Sequence, residues 1–285
     1  MTAHVSAVGT AVAVSPHLDD AVFSAGGLLA LLSRTGWRVR VVTCFTASVD
    51  DPCPFALSTQ LDKGLSADVD YMALRRTEDR AAQRRLRTLA PVHLPLPEAP
   101  HRGYGSPPEL FAPPRPDDVA ERELQRLLRP HLAPADLVLA PQAIGGHVDH
   151  LLTARATATV SPPSRTGWWR DVPYVARTAA SDAGALSGTL KGAGEVTVGI
   201  DAVLADKIAA AQCYTTQLGF QFGGPWEAAE VLSCVARSEA LRTGAPYTHG
   251  ESLRAGRTAL RSLEGLAGVG CAGRRGHARG EPGTR

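Results

Sequence analysis

Two short segments of this chain concentrate the residue types that bind metals and move protons. The first is Ser15-Pro16-His17-Leu18-Asp19-Asp20, and the second is Gly145-Gly146-His147-Val148-Asp149-His150. His17 and Asp20 are three residues apart, as are His147 and His150. Side chains at that spacing share one side of a helical turn. Asp19 then points differently from Asp20, so the two carboxylates need not share a role. A divalent ion held by two imidazoles and one carboxylate keeps a position open for water, which is the pattern of a catalytic site and not of a closed structural one. Such an ion brings the pKa of water down to about 7 and polarises a carbonyl oxygen. A second carboxylate beside that water is a general base. A second histidine can stabilise an oxyanion and then protonate a leaving amine. Taken singly, a histidine near a strand end is more often solvated, and Asp19 or Asp20 reads as a helix N-cap. Their joint occurrence at two strand ends is what argues for chemistry.

The elements needed to bring the segments together are legible. Val12 to Ser15 is a β-branched run that stops at Pro16. Leu28, Leu29, Leu31 and Leu32 follow at helical spacing and end at Gly36, and Arg38 to Phe45 is a second strand. That is a strand–helix–strand unit, whose crossover is right-handed over a parallel sheet. Further along, Met72 to Leu89 reads as a helix, Val92 to Leu96 as a strand and Asp117 or Asp118 as the cap of a helix ending near Leu128. Asp136 to Ala140 is a strand, and Leu151 to Thr159 a helix. Val172 to Ala176 and Val196 to Ile200 read as strands, Asp201 as the start of a helix through Cys213, and Trp226 to Leu241 as the last helix. Ser48–Asp70 and Pro97–Pro116 read as long loops. Trp168 and Trp169 are adjacent, so one of them is expected at the surface. The alternation makes an α/β three-layer domain over residues 1–264, with a mostly parallel sheet and helices on both faces. Ligands in such folds bind beyond the carboxyl ends of the strands. Residues 265–285, rich in Gly and Arg, read as a disordered tail.

Composition narrows the function classes. Of 285 residues 44% are hydrophobic and 20% charged, which is globular. Thirty basic residues against 28 acidic ones give +2, too balanced for a protein that lives on phosphate contacts. No apolar run reaches the eighteen or so residues of a membrane span. The arginines of 75–87, Arg75 excepted, are interrupted by Glu78 and Asp79 and read as a solvated helix face. Gly26-Gly27 lacks the dinucleotide pattern GxGxxG. Cys44, Cys53, Cys213, Cys234 and Cys271 are widely spaced, and Met1–Val14 shows no leader pattern, so a reducing cytoplasm is expected. Neither nucleic acid nor membrane is an expected partner, and the number of subunits stays open.

HLDD followed by Gly26-Gly27, and later HVDH, resembles the PIG-L/LmbE-like family of zinc-dependent N-acetyl-sugar deacetylases. Arg75-Arg76-Thr77-Glu78 resembles that family's Arg-x-x-Glu helix, and Lys207 with Tyr214-Thr215-Thr216-Gln217 a later segment. The resemblance implies a single Rossmann-like domain and Zn2+ held by His17, Asp20 and His150. It implies Asp19 as general base, His147 as oxyanion stabiliser or general acid, Asp149 as the group orienting a histidine, and Arg75 as a contact to sugar hydroxyls. Leu18 departs from the family's proline, Ala21 from a common glutamate and Gly145 from a tyrosine of some relatives. Glu98 falls near a frequent substrate-contacting aspartate.

The implied reaction is removal of acetyl from an N-acetylglucosamine-type sugar, with the N-acetylated small molecule as partner. Elimination among relatives favours an antibiotic pathway: an N-acetylglucosaminyl-deoxystreptamine (aminoglycoside) intermediate ahead of a glycopeptide or a mycothiol-type GlcNAc-inositol. Two rivals of other classes remain. Two histidines and a carboxylate also describe non-haem Fe(II) oxygenases, which favour all-β barrels. A non-catalytic, metal-retaining sugar-binding module would need neither Asp19 nor His147. The metal reading requires His17 and His150 within about 10 Å of each other.

Overall fold

A computed structural model describes residues 7–177 and 190–267. Its centre is one seven-stranded sheet of order β3-β2-β1-β4-β5-β7-β6. The strands are β1 (Thr10–Ser15), β2 (Arg38–Phe45), β3 (Val92–Leu96), β4 (Leu137–Pro141), β5 (Thr166–Trp169), β6 (Gly194–Gly199) and β7 (Gly250–Ala255). The first five run parallel, while β7 lies antiparallel between β5 and β6. The expected three-layer, mostly parallel α/β architecture is therefore what the chain adopts.

Strand β1 shows why. Its residues Ala11 to Ser15 are all buried, as a central parallel strand covered on both faces requires. Ala11 and Ala13 join one core with α1 (Asp20–Arg34) and α3 (Tyr71–Leu86). Val12 and Val14 join the other with α5 (Ala120–Leu132) and α6 (Val148–Val160). Trp168 and Trp169 divide in the same way and both are buried. The expectation that one would be exposed fails because the sheet has no solvent face here.

Other departures have local causes. The segment 48–70 read as loop contains α2 (Pro54–Leu61), opened by Pro54 at its first position, where a missing N–H costs nothing. The segment 97–116 contains α4 (Pro107–Leu110), likewise opened by proline. Strand β5 lies earlier than the expected Val172–Ala176, which instead leads into α7 (Tyr174–Arg177). Pro173 has no N–H to give a ladder. The expected helix 201–213 is α8 (Leu204–Ala211), followed by α9 (Thr215–Phe222) and then α10 (Pro225–Arg242). Helix α11 (Arg257–Ala267) runs into the segment read as a tail, whose remainder, 268–285, lies outside the described residues. Arg80, Arg84 and Arg85 of α3, and Arg87 just after it, are exposed, as expected of a solvated face, while Arg75, Glu78 and Asp79 are buried on the other side.

Strand β7 carries no apolar alternation, and its buried Glu251 explains its place. Helix α1 breaks at Ala25, whose φ and ψ are −131° and 16°. Glu251 accepts hydrogen bonds from the freed N–H groups of Gly27 (3.0 Å) and Leu28 (2.6 Å). It also pairs with the buried ammonium of Lys207 at 2.6 Å. Gly27 lets the helix approach, since a Cβ there would lie 2.8 Å from Ile200. Removing one partner of a buried pair costs about 3–5 kcal/mol. Glu251→Ala is therefore expected to lose stability of about that size in chemical denaturation. A midpoint equal to that of the parent protein would contradict this.

Candidate metal centre

The sheet order places β1 between β2 and β4, so the connections after β1 and β4 leave in opposite directions. That switch point opens a crevice at the carboxyl ends. The turn after β1 is tied tightly: the Ser15 hydroxyl donates to the His17 carbonyl at 2.6 Å and accepts from the Ala21 N–H at 3.0 Å. Asp20 Oδ2 accepts from the His17 N–H at 2.8 Å. Asp19 sits at the N-cap of α1, yet its carboxylate makes no cap hydrogen bond. The simple capping explanation for Asp19 therefore fails.

The turn after β4 passes through Ala143, Gly145 and Gly146, all at positive φ, and delivers His147 as the N-cap of α6. A Cβ on Gly145 would lie 2.6 Å from the Tyr174 ring, so the glycine leaves room for that tyrosine. His147 Nδ1 accepts from the Asp149 N–H at 3.2 Å. The ring is thus held with its proton on Nε2 when neutral. Burial disfavours the imidazolium and His17 and His150 add to that against Asp149, so the pKa falls to about 3.

His17, Asp20 and His150 meet. Asp20 Oδ2 lies 3.3 Å from His17 Nδ1 and 3.2 Å from His150 Nε2, and the two imidazole centroids are 5.4 Å apart. The 10 Å requirement is met with room to spare. A four-coordinate ion with bonds of roughly 2.0–2.1 Å sets its donors about 3.3 Å apart, so the donor set fits. His150 Nε2 is buried and makes no hydrogen bond despite its nearness to Asp20, as a lone pair aimed at an ion would be. His150 Nδ1 is held by Asp171 Oδ1 at 2.8 Å, and His17 Nε2 by Asp149 Oδ2 at 3.0 Å. Each imidazole is thereby oriented by a carboxylate from behind, the arrangement that fixes tautomer and aim in metal sites. His17, His147 and Asp149 form a second set with donor atoms within 4.8 Å of one another, but there Asp149 is already committed. It accepts from Ala99 N–H at 3.1 Å and Arg102 Nη2 at 2.6 Å.

The electrostatics suit a cation. Burial lowers the pKa of His150, but Asp20 and Asp171 override it and push it up to about 9. His17 is likewise raised against its burial by Asp149 and Asp20. Surroundings that favour a proton on these rings equally favour a divalent ion between them. Burial raises Asp149, and Arg102 and the histidines override it to hold its carboxyl well below the usual range. Asp19 is raised to about 6 by burial, with Arg75 opposing and Asp20 adding to the shift.

Arg75 is buried in the site, with Nη2 3.4 Å from Asp19 Oδ1 and Nη1 2.5 Å from Glu98 Oε1. Its first contacts are thus carboxylates of this chain. Glu78, one turn on, faces away and accepts from Thr215 and Thr216 at the start of α9. Asp171 was missed by sequence reasoning. It follows β5 without a motif, and only the β4–β5 pairing brings it behind His150. Arg102 was missed because nothing in a Pro/Gly-rich segment marks one arginine as turned inward onto a buried carboxylate.

Fold and site together define an α/β protein with a His-Asp-His cluster, able to accept a metal ion, at a topological switch point. Residues 12–161 match the family model of GlcNAc-PI de-N-acetylase, PIG-L, and the chain belongs to that family. It is 37% identical over 180 residues to the 2'-N-acetylparomamine deacetylase of Streptomyces fradiae, a match spanning 61% of each chain. The structure of a zinc-inhibited teicoplanin deacetylase superposes with a TM-score of 0.70 at 25% identity, covering 86% of this chain and 97% of that one. The deacetylase of the A40926 pseudoaglycone gives 0.66 at 27% identity, over 86% and 96%.

Losing a carboxylate behind a ligating histidine weakens metal binding by about 10–100-fold. Asp171→Asn is expected to show that loss in a titration of the metal-stripped protein with a divalent ion, while the far-ultraviolet spectrum is retained. Unchanged affinity would remove Asp171 from the centre.

Proposed function

We propose that this protein is a zinc-dependent hydrolase that removes the acetyl group from an N-acetylglucosamine-type amino sugar, releasing acetate and a free amine. The observation that carries the reading is the convergence of His17, Asp20 and His150 with a second carboxylate, Asp19, loosely held by Arg75 beside them. The substrate we favour is an aminoglycoside intermediate such as 2'-N-acetylparomamine, the compound named for the Streptomyces fradiae relative. A glycopeptide pseudoaglycone is the second reading, favoured by the solved relatives. The cysteines support a cytoplasmic setting, since the four within the described residues are free. Among the described residues no helix is long and apolar enough to cross a membrane.

In this mechanism His17, Asp20 and His150 would hold zinc, which when bound would acidify a water and polarise the amide carbonyl. Asp19 takes the proton from the attacking water, and Arg75 at 3.4 Å holds the carboxylate in place. His147, with Nδ1 engaged by the Asp149 N–H, presents Nε2–H to the developing oxyanion. The C–N bond then breaks, the proton held by Asp19 passes to the leaving nitrogen, and acetate remains. Asp149 supports His17 from behind and does not touch the substrate. Arg75, pinned between Asp19 and Glu98, reaches sugar hydroxyls only at its remaining edge.

An acetate-release assay over a panel of N-acetylated sugars tests this. Chelation abolishes release in the expected outcome, and zinc restores it. Asp19→Ala is expected to keep the metal and lose about 10²–10⁴-fold in kcat, whereas His17→Ala loses the metal itself. Near-parental turnover by Asp19→Ala would refute the base assignment. No release from any sugar would refute the reading as a whole.

A further inference from the structure

The strand order gives the centre two chemically different sides. Towards β2 and β3 stand Arg75 and Glu98, beside a cleft of about 250 Å³ lined by Ser48, Gln60, Asp70 and Tyr71 among others. Towards β5 stands Tyr174, its ring centroid 5.3 Å from that of His150. Phe111, just after α4, reaches over His147, with centroids 5.4 Å apart and planes at 89°. Phe111 and Tyr174 are themselves 6.1 Å apart, edge to face. Phe111 is 49% exposed, a large apolar side chain left half in water at the rim of an otherwise polar site.

An N-acetyl sugar has a matching asymmetry: hydroxyls on one side of the amide, a methyl on the other. Placing the methyl against Arg75 and Glu98 would strip water from that pair with no hydrogen bond in return. Placing it against the two rings buries apolar surface on both partners.

Resting on the hydrolase reading above, we propose that Phe111 and Tyr174 form the acyl wall of the site and set its specificity. The acetyl methyl packs in the angle between these rings and His147, and the sugar lies over Arg75 and Glu98. Gly145 is part of the device, because a Cβ there would displace the Tyr174 ring. The wall admits acetyl and crowds out longer acyl chains.

The test keeps one glucosamine conjugate constant and varies its acyl group through acetyl, propanoyl and butanoyl, with amine release giving kcat/KM. Phe111→Ala, at a half-exposed position, is expected to raise the butanoyl-to-acetyl ratio roughly tenfold or more, the discrimination carried by a methylene or two in an apolar pocket. Phe111→Trp is expected to lower it. An equal fall for all three acyl groups in Phe111→Ala would place the sugar, not the acyl group, on this wall and overturn the proposal. Unchanged kinetics in both variants would overturn it too. Absence of release from every conjugate by the parent protein would instead sink the hydrolase reading, and the acyl wall with it.

Discussion

The shared oxygen of Asp20 is the point on which the site depends. Oδ2 is reached by His17 from its own turn and by His150 from the other half of the chain. Those turns meet only because β1 pairs with both β2 and β4, with Ala11, Val12 and Ala13 set against Leu137, Val138 and Leu139. A one-residue slip in a strand buried on both faces would move every side chain to the opposite face. The register of an apolar strand pair thus controls the aim of side chains several residues beyond it.

Gathering carboxylates at one edge of a sheet is costly unless each has a partner, and here each has one. Asp149 has Arg102 and a backbone N–H, Asp171 has the Ile144 N–H and His150, and Glu98 has Arg75. The N-termini of α1 and α6 point at the same place and add favourable partial charge. Asp19 is held more loosely, with Arg75 at the far limit of a hydrogen bond, which suits the proton exchange proposed for it. The arginines differ in the same sense: Arg102 stabilises Asp149 behind His17, whereas Arg75 faces the crevice.

The scaffold supports this edge from below through buried polar contacts that carry no chemistry. Glu251 and Lys207 hold the break in α1. Asp79 of α3 accepts from the Tyr214 hydroxyl, and Glu78 binds the start of α9. These contacts fix α1 and α3, and with them Asp20 and Arg75. They also explain where sequence reasoning stopped. Strand β7 and the inward acids of α3 look solvated in one dimension, because their partners are distant in the chain.

What the amino-acid order determined by itself was the strand–helix alternation from β1 to α6 and the identity of the clustered donors. Both are local properties: apolar runs select strands and helices of given length, and HLDD and HVDH each carry their spacing within one turn. Only the tertiary structure decided which donors lie together, that Asp171 and Arg102 stand behind them, that both tryptophans of β5 are buried, and that Phe111 and Tyr174 face the polar side across the centre. Those depend on strand order and on side chains meeting across long separations, and no short-range pattern records them.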